Sequence, residues 1–349
     1  MTKKTLSQLR RCIFLSMFIP DKKFLNYLEM IELLRSRNLI IRDDEIDFVI
    51  HSLKTYSYYD LVNSNVENLL ISKETNIFKE NIEFRQLVKI KNIEDRLRIT
   101  FLSQILAIEK SFCSKLSYYV AETFGVDSNE GGYLKKANYS TSQNSLVTST
   151  MKRLREIKNS KIKYRKPSDS LKYYQRNHNH IPPWILVNEL TFGEVINWYR
   201  CIKDEGKRKL SKELLLYKVE NEELRLAICI STLDLLREFR NSLAHNSALS
   251  KIRSSRKLNN LEIYHVLNQK DLVSKTEFIN EKSQNLYACF ISILLLSTDL
   301  DQLRIFLLTL EQIFNSVDSE EQNLIFHDTF GLPPKILEIS KQYVKDYIL

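Results

Sequence analysis

The 349-residue sequence predicts an all-α fold, a multi-helix bundle, from its composition, its apolar spacing and its lack of strand signals. Gly and Pro occur six times each, and no part of the chain shows the short alternating strands, divided by turn residues, that indicate a β-sheet. Apolar residues recur instead at three- and four-residue spacing, the period of a helix face. Because the length exceeds that of a usual single domain, we expect one large composite domain or two closely packed ones.

The longest predicted helix covers residues 92–124, with Asn92 as its N-cap, Asp95 three residues later and Gly125 at its end. Its apolar residues define one core face, so the charged residues beside that face are expected to form a solvated edge. These charged residues are Glu94, Arg98, Glu109 and Lys110. Further helices are predicted over residues 222–245, 284–297 and 300–315.

The sequence favours a cytoplasmic protein. Arg10 and Arg11 interrupt the short N-terminal apolar patch and no small-residue cleavage site follows, which argues against a secretory signal. The most apolar window, residues 286–300, is too short to cross a bilayer, which takes roughly 20 apolar residues, and is predicted to be a buried helix. The five cysteines include no C-x-x-C pair, so we interpret them as buried thiols of a reducing compartment.

The formal net charge of +9 is concentrated in residues 151–176, which hold ten basic residues against two acidic ones. A second basic cluster lies at residues 251–257. Tyrosines interleave with the cations of the first segment, a mixture that suits single-stranded RNA, whose bases stack on aromatic rings while Lys and Arg track phosphates. A solvated basic helix that binds nothing in particular is the alternative.

His178 and His180 follow the first basic segment and could guide RNA, or they could pack against residues 182–184. Lying two apart without a nearby Cys or Asp, they are a weak metal signal. The candidate RNA contacts are therefore Lys152, Arg153, Arg155, Lys158, Lys161, Lys163, Tyr164, Arg165, Lys166, Arg176, His178, His180, Lys251, Arg253, Arg256 and Lys257.

Residues 233–246, L-D-L-L-R-E-F-R-N-S-L-A-H-N, set Arg240, Asn241 and His245 into an otherwise apolar helix. A permanent cation, an amide and an imidazole together suit chemistry on a phosphodiester. On an ideal helix Asn241 and His245 share a face, whereas Arg240 and His245 lie about 140° apart. The latter two can therefore meet at one phosphate only near a frayed helix end or across a symmetric interface. The alternative is an Arg and a His that stabilise the helix C-terminus.

These residues resemble the R-x(4-6)-H signature of HEPN domains, the all-helical, metal-independent ribonucleases and nucleic-acid binders of defence and toxin systems. More specifically, the chain is similar to the Abi-like (AbiD/AbiF) abortive-infection proteins of bacteria. The matching segments follow the family's order and are L-L-R-S-R-N-L-I-I (33–41), Y-S-Y-Y-D-L (56–61), I-E-D-R-L-R (93–98), I-E-K-S (108–111), I-P-P-W-I-L-V-N-E-L-T-F-G-E (181–194) and F-R-N-S-L-A-H-N (239–246).

The resemblance implies a HEPN-like bundle with additional helices at both ends. The division that we expect is an N-terminal helical region at residues 1–75, a HEPN-like core at 76–258 and a C-terminal helical region at 259–349, packed on the core. A basic, loop-rich insertion at 126–183 interrupts the core. No family motif matches the C-terminal region.

The resemblance also implies a phage-defence toxin that cleaves RNA without a metal or other cofactor. Since the chain holds one R-x(4-6)-H motif, the resemblance implies a homodimer in which Arg240 and His245 of both copies face each other across the two-fold axis. His245 would act as general base or acid and Arg240 would stabilise transition-state charge, while Asn241 would orient His245 or hold the phosphate. The product would be a 2′,3′-cyclic phosphate.

Two other functions stay open at this point. One is a non-catalytic RNA-binding HEPN module held with a small structured RNA. The other is a helical protein-interaction sensor that detects a phage-encoded trigger. No membrane partner is expected under any of the three.

Overall fold

The computed structural model describes residues 22–72, 74–129, 131–163, 165–216, 219–258, 263–264, 274–333 and 335–338. Regular structure in these ranges consists of helices and two isolated β-bridges, which confirms the all-α fold. The α-helices are α1 (Tyr27–Ser36), α2 (Ile46–Tyr56), α3 (Tyr58–Val62), α4 (Phe84–Phe124), α5 (Asn144–Lys158), α6 (Asp169–Asn177), α7 (Pro183–Leu186), α8 (Phe192–Cys201), α9 (Asp204–Leu214), α10 (Glu222–Ala244), α11 (Lys275–Glu277), α12 (Leu286–Leu296), α13 (Leu300–Phe314) and α14 (Ser319–Gln322).

Helix α4 is 41 residues long, about 60 Å at 1.5 Å per residue, and it begins earlier than predicted. Its first turn is closed by a capping box between Glu83 and Gln86. Asn92, the predicted N-cap, lies inside the helix, and its side chain accepts a hydrogen bond from the Tyr56 hydroxyl. The helix ends at Gly125 as predicted, in the left-handed region (φ 77°) that favours glycine.

The apolar face of α4 is the centre of the core. It packs against α7, α9, α10, α12 and α13, which come from widely separated parts of the chain. Every residue of α12 is buried, as the sequence predicted for this window. The seam of α4 is buried throughout and consists of Leu97, Phe101, Ile105, Ile108, Phe112, Leu116 and Val120.

The prediction of a solvated charged edge on α4 was wrong for three of its four residues. Glu94 and Arg98 are 1% and 8% exposed, because the chain that follows α10 covers this edge. The side chain of Glu109 is 15% exposed and lies against α10. Lys110 is exposed, as expected.

The basic insertion at residues 126–183 is more helical than the sequence suggested, since it contains α5 and α6. Helix α5 packs on α8 and buries Val147, Met151 and Leu154, and α6 packs on α7 and buries Leu171. The insertion therefore has a fixed place beside α8.

One hydrophobic cluster runs from Ile31 to Ile336 and takes residues from all three predicted regions. The division into regions at 75 and 258 stays a prediction. Among the described residues no helix is both long and apolar enough to cross a membrane. Of the cysteines, Cys201, Cys229 and Cys289 are buried free thiols as predicted, Cys113 is half-buried, and Cys12 lies outside the described residues.

We expect Phe101→Ala to lower the free energy of unfolding by about 3–5 kcal/mol, because it leaves a cavity at the centre of the bundle. Phe101 is fully buried and its ring meets Phe306 edge to face, with centroids 5.4 Å apart. The matched control is Ile99→Ala, two positions away and 68% exposed, which should change stability by no more than about 0.5 kcal/mol. Urea denaturation followed by circular dichroism measures both. Equal losses would mean that α4 does not bury this face.

Candidate active site

Helix α10 presents the R-N-x-x-x-H residues at its C-terminal end. The helix begins at the cap Asn221 and ends at Ala244, with His245 as the C-cap. Asn246 adopts the left-handed conformation (φ 57°), and the amides of Asn246 and Ser247 donate to the carbonyls of Leu243 and Ser242, at 3.4 and 3.1 Å. This is a Schellman motif with asparagine in the position usually held by glycine. It turns the chain sharply just after His245.

Arg240 and His245 occupy different environments. The Nε atom of Arg240 lies 3.4 Å from Oε2 of Glu109 on α4, and the Arg240 side chain is 37% exposed. Asn241 and His245 are exposed, and within the described ranges no side-chain hydrogen bond is made by either. The imidazole is thus open to a ligand, whereas the guanidinium already has a counter-charge.

The ion pair of Glu109 and Arg240 is only partly satisfied. Arg240 Nε and Glu109 Oε2 are both shielded from solvent, but their contact lacks the geometry of a hydrogen bond. Burial raises the pKa of Glu109, and the positive charge of Arg240 opposes this effect without cancelling it. Because the Arg240 side chain is still 37% exposed, its guanidinium can also bind an anionic ligand that competes with Glu109.

No metal centre accompanies these groups in the part of the chain that is described, since no three His, Cys, Asp or Glu side chains there are placed to hold an ion. An exposed imidazole and a guanidinium can transfer a proton and stabilise negative charge. An arrangement of this kind can act on a phosphodiester.

The predicted RNA contacts of the insertion divide into two groups. Four of them bond to other groups of the protein, although Arg155 is itself an exposed residue. Arg153 Nε and Arg165 Nη1 lie 2.7 and 3.1 Å from the two oxygens of Glu194. Arg155 donates to the Leu134 carbonyl, and Lys158 donates to the Ser128 carbonyl. These cations hold the insertion together, although Arg153 remains 42% exposed.

The second group is exposed. Lys152, Lys161, Lys166 and Arg176 make no side-chain hydrogen bond or ion pair within the described ranges, and Lys163 is also at the surface. Tyr164 lies outside the described residues.

The two predicted histidines follow α6. The His178 ring stacks on Tyr174, with centroids 4.5 Å apart and planes at 30°. His180 Nδ1 lies 2.8 Å from the side-chain oxygen of Asn179.

The insertion is anchored beside α10 through the first turn of α8. Thr191 caps that helix in a capping box with Glu194, the acceptor of the two arginines. A Cβ atom on the adjacent Gly193 would lie 3.3 Å from Cδ of Arg237 on α10. The first turn of α8 thus packs closely on α10, and this contact places the basic insertion near the turn of α10 that precedes Arg240.

The second basic cluster runs along α10. Ser254 and Ser255 donate to Glu238, and Arg256 Nε lies 3.8 Å from Oδ2 of the buried Asp234. On an ideal helix Asp234, Glu238, Asn241 and His245 fall within about 60° of one another, so this cluster borders the exposed face. Its other members are Lys251, which donates to the Asn63 carbonyl, Arg253, which donates to the carbonyls of Ser250 and Ile252, and the exposed Lys257.

Glu109, Glu94 and Arg98 border the site and were missed as functional candidates. They fall in the I-E-K-S and I-E-D-R-L-R segments, so the signal that could have identified them was the recurrence of these motifs along one helix together with F-R-N-S-L-A-H-N. Both segments of α4 face the end of α10.

Comparison with protein families decides the relationship. The model of the Abi-like protein family matches residues 51–251, more than half of the chain. The chain belongs to the Abi-like family. This confirms the resemblance to the Abi-like proteins, and membership suggests a role in abortive infection, a form of phage defence. Searches of curated protein sequences and of solved structures found no match.

In this Abi-like protein, Glu109→Gln should change how stability depends on pH. Because the folded-state pKa of Glu109 is raised, the folded protein binds its proton more tightly, so this group lowers stability as pH rises through its unfolded and then its folded pKa. The stability of Glu109→Gln relative to the wild type should therefore increase between pH 4 and pH 7. Urea denaturation at several pH values measures the difference.

Glu238→Gln is the matched control and should show the opposite sign. Against the effect of burial, hydrogen bonds from Ser255 and Ser254 lower the pKa of Glu238. Its charged form therefore contributes stability that is lost as pH falls. The same pH trend in both variants would contradict the environment assigned to Glu109.

Proposed function

We propose that this Abi-like protein is a metal-independent RNA endonuclease of the HEPN type, acting in phage defence as a homodimer. The observation that carries the proposal is the end of α10, where the exposed imidazole of His245 lies beside Asn241 and one turn beyond the ion-paired Arg240. These are the residues that the R-x(4-6)-H resemblance marks. Both basic clusters border the same helix.

The reaction needs a base, an acid and a cation. The 2′-oxygen of the RNA attacks phosphorus as its proton passes to an imidazole, and the bond from phosphorus to the 5′-oxygen breaks as that oxygen receives a proton. The products are a 2′,3′-cyclic phosphate and a 5′-hydroxyl. Arg240 stabilises the negative charge that develops on the phosphoryl oxygens. DNA lacks the 2′-hydroxyl and is not a substrate.

The different environments of Arg240 and His245 support a dimer. Arg240 is held against α4 by Glu109, while His245 is exposed on the Asn241 side of α10. A second copy, related by a two-fold axis, brings its own Arg240 and His245 to face those of the first copy. His245 of one copy then serves as base while the partner subunit's His245 serves as acid.

A non-catalytic RNA-binding module is the second candidate, and the ion pair itself favours it. Arg240 already has Glu109 as a counter-charge, and a guanidinium held in this way is less available to a transition state. In this case Arg240 and His245 grip a phosphate of a tightly bound small RNA. A cleavage assay distinguishes the two functions, because only the endonuclease cuts the RNA that it binds.

We expect His245→Ala to lower the rate of RNA cleavage in EDTA by at least about 100-fold, since it removes the proton-transfer group. Arg240→Ala should lower it about 100- to 1,000-fold through loss of charge stabilisation. Denaturing gels and detection of the cyclic phosphate give the rates, and growth arrest on expression should follow them. The matched control is His51→Ala, an exposed histidine on α2, which should stay within about twofold of the wild type.

Two results would overturn this assignment. Cleavage by His245→Ala at the wild-type rate would mean that another group performs the chemistry. Tight binding of RNA that stays intact with the wild type would favour the non-catalytic module.

RNA affinity should depend on the exposed cations of the insertion. Changing Lys152, Lys161, Lys166 and Arg176 to Gln should weaken RNA binding and reduce the slope of log K against log salt by up to about 3, since each single-strand phosphate contact contributes about 0.7. Fluorescence anisotropy from 50 to 300 mM salt measures both quantities. A charge-matched control changes four exposed lysines elsewhere, namely Lys23, Lys203, Lys212 and Lys275. Equal effects of the two sets of substitutions would contradict a specific RNA path. If the protein is instead a protein-interaction sensor, its RNA affinity should be weak and nearly unchanged by either set.

A further inference from the structure

The turn that carries His245 is bonded to α4 at three backbone points. Arg98 Nη1 donates to the Leu243 carbonyl at 3.3 Å, and Arg98 Nη2 donates to the Ser247 carbonyl at 2.7 Å. The Glu94 carboxylate accepts a hydrogen bond from the Leu249 amide at 2.7 Å. Two of these points are two residues before and two residues after His245, so the bonds enclose it.

The groups that make these bonds form a buried ionic cluster. Arg98 Nη2 also donates to Glu94 at 2.8 Å, and Lys91 donates to Glu94 at 2.9 Å. All three residues are at least nine-tenths buried. Burial opposes the charge of Glu94, but the bonds from the Leu249 amide and from Lys91 outweigh it and lower the pKa of Glu94. The cluster is therefore charged at neutral pH.

We propose that Arg98 and Glu94 are positioning residues that hold His245 in its place for reaction. The catalytic part of this inference rests on the proposed function. His245 follows the last helical residue, where helices commonly fray, and its side chain has no partner of its own in the described part of the chain. Its position is instead set by the backbone on either side. The bonds from Arg98 and Glu94 supply this restraint from a rigid, 41-residue helix.

The geometry requires a guanidinium. One planar fork reaches two carbonyls and a carboxylate from two separate nitrogens, whereas an ammonium group must donate from a single nitrogen. A lysine at position 98 keeps the charge and most of the packing, yet it leaves at least one carbonyl unbound. Misplacement by about 1 Å can reduce a catalysed rate by about 100-fold, so release of the turn should affect the chemical step more than RNA binding.

Hydrogen exchange of the full-length protein tests the restraint directly. In Arg98→Lys, the amides of Ser247 and Leu249 should exchange at least about tenfold faster than in the wild type, while amides in the middle of α4 are unchanged. The matched control is Arg96→Lys, because Arg96 is an exposed arginine on the same helix that donates to Ser316. Unchanged exchange at both amides in a folded Arg98→Lys protein would overturn the proposal.

Cleavage kinetics test the consequence. Arg98→Lys should lower kcat about 10- to 100-fold and leave KM within about twofold, whereas Arg96→Lys should change neither. In Arg98→Ala, millimolar methylguanidinium should restore part of kcat and methylammonium should not. A rise in KM with unchanged kcat, or equal rescue by both cations, would contradict positioning.

The two proposals can fail separately. Faster exchange in Arg98→Lys with no RNA cleavage by the wild type would retain the restraint on the turn and refute the proposed function. RNA cleavage that depends on His245 but not on Arg98 would support the proposed function and refute the positioning role of Arg98. If Arg98→Lys does not fold, Glu94→Gln provides the same exchange measurement at Leu249, since a neutral amide accepts this bond more weakly than a carboxylate.

Discussion

The buried pair of Glu94 and Arg98 is the interaction on which the candidate site depends. Removing two charges from water is costly, and a well-packed apolar pair is often as stable as a buried ion pair. The structure compensates by giving these groups backbone partners on the chain that leaves α10. What the pair provides beyond stability is a fixed crossing point, because its bonds to the backbone of Leu243, Ser247 and Leu249 can form only when α4 and the end of α10 meet in one arrangement.

Helix α4 thus contacts the Arg240 side chain and the backbone on either side of His245. Arg98 bonds on either side of His245, and Glu109, three turns further along, holds the charge of Arg240. Eleven residues of helix separate these two anchors by about 16 Å. Since both lie on one rigid element, the relative position of Arg240 and His245 is set by α4 as much as by their own helix.

Much of the fold followed from apolar spacing, because a buried helix face repeats in any sequence that forms it. The seam of α4, the buried α12 and the extent of α10 were all predicted in this way. The start of α4 was predicted wrongly. Asn92 and Asp95 have the spacing of a helix cap, but the helix begins earlier, where the capping box of Glu83 and Gln86 closes its first turn. Glu94 and Arg98 were misplaced for a different reason: helical period cannot show that residues 243–249 cover the edge of the seam. Arg240, Asn241 and His245 were predicted from a motif and stay a prediction, whereas the contact of Glu109 with Arg240 could be seen only in the packed structure.

The separation of Arg98 and Leu243 along the chain also determines when the site can exist. These residues are 145 positions apart, and at about 5–20 residues per second their synthesis is separated by about 7–30 s. During that interval the backbone partners of Glu94 and Arg98 at residues 243–249 are absent, so the two charges have only each other, Lys91 and water as partners. Glu94 and Arg98 are therefore synthesised well before the backbone groups that they bond. The turn they enclose forms only after α10 has been made.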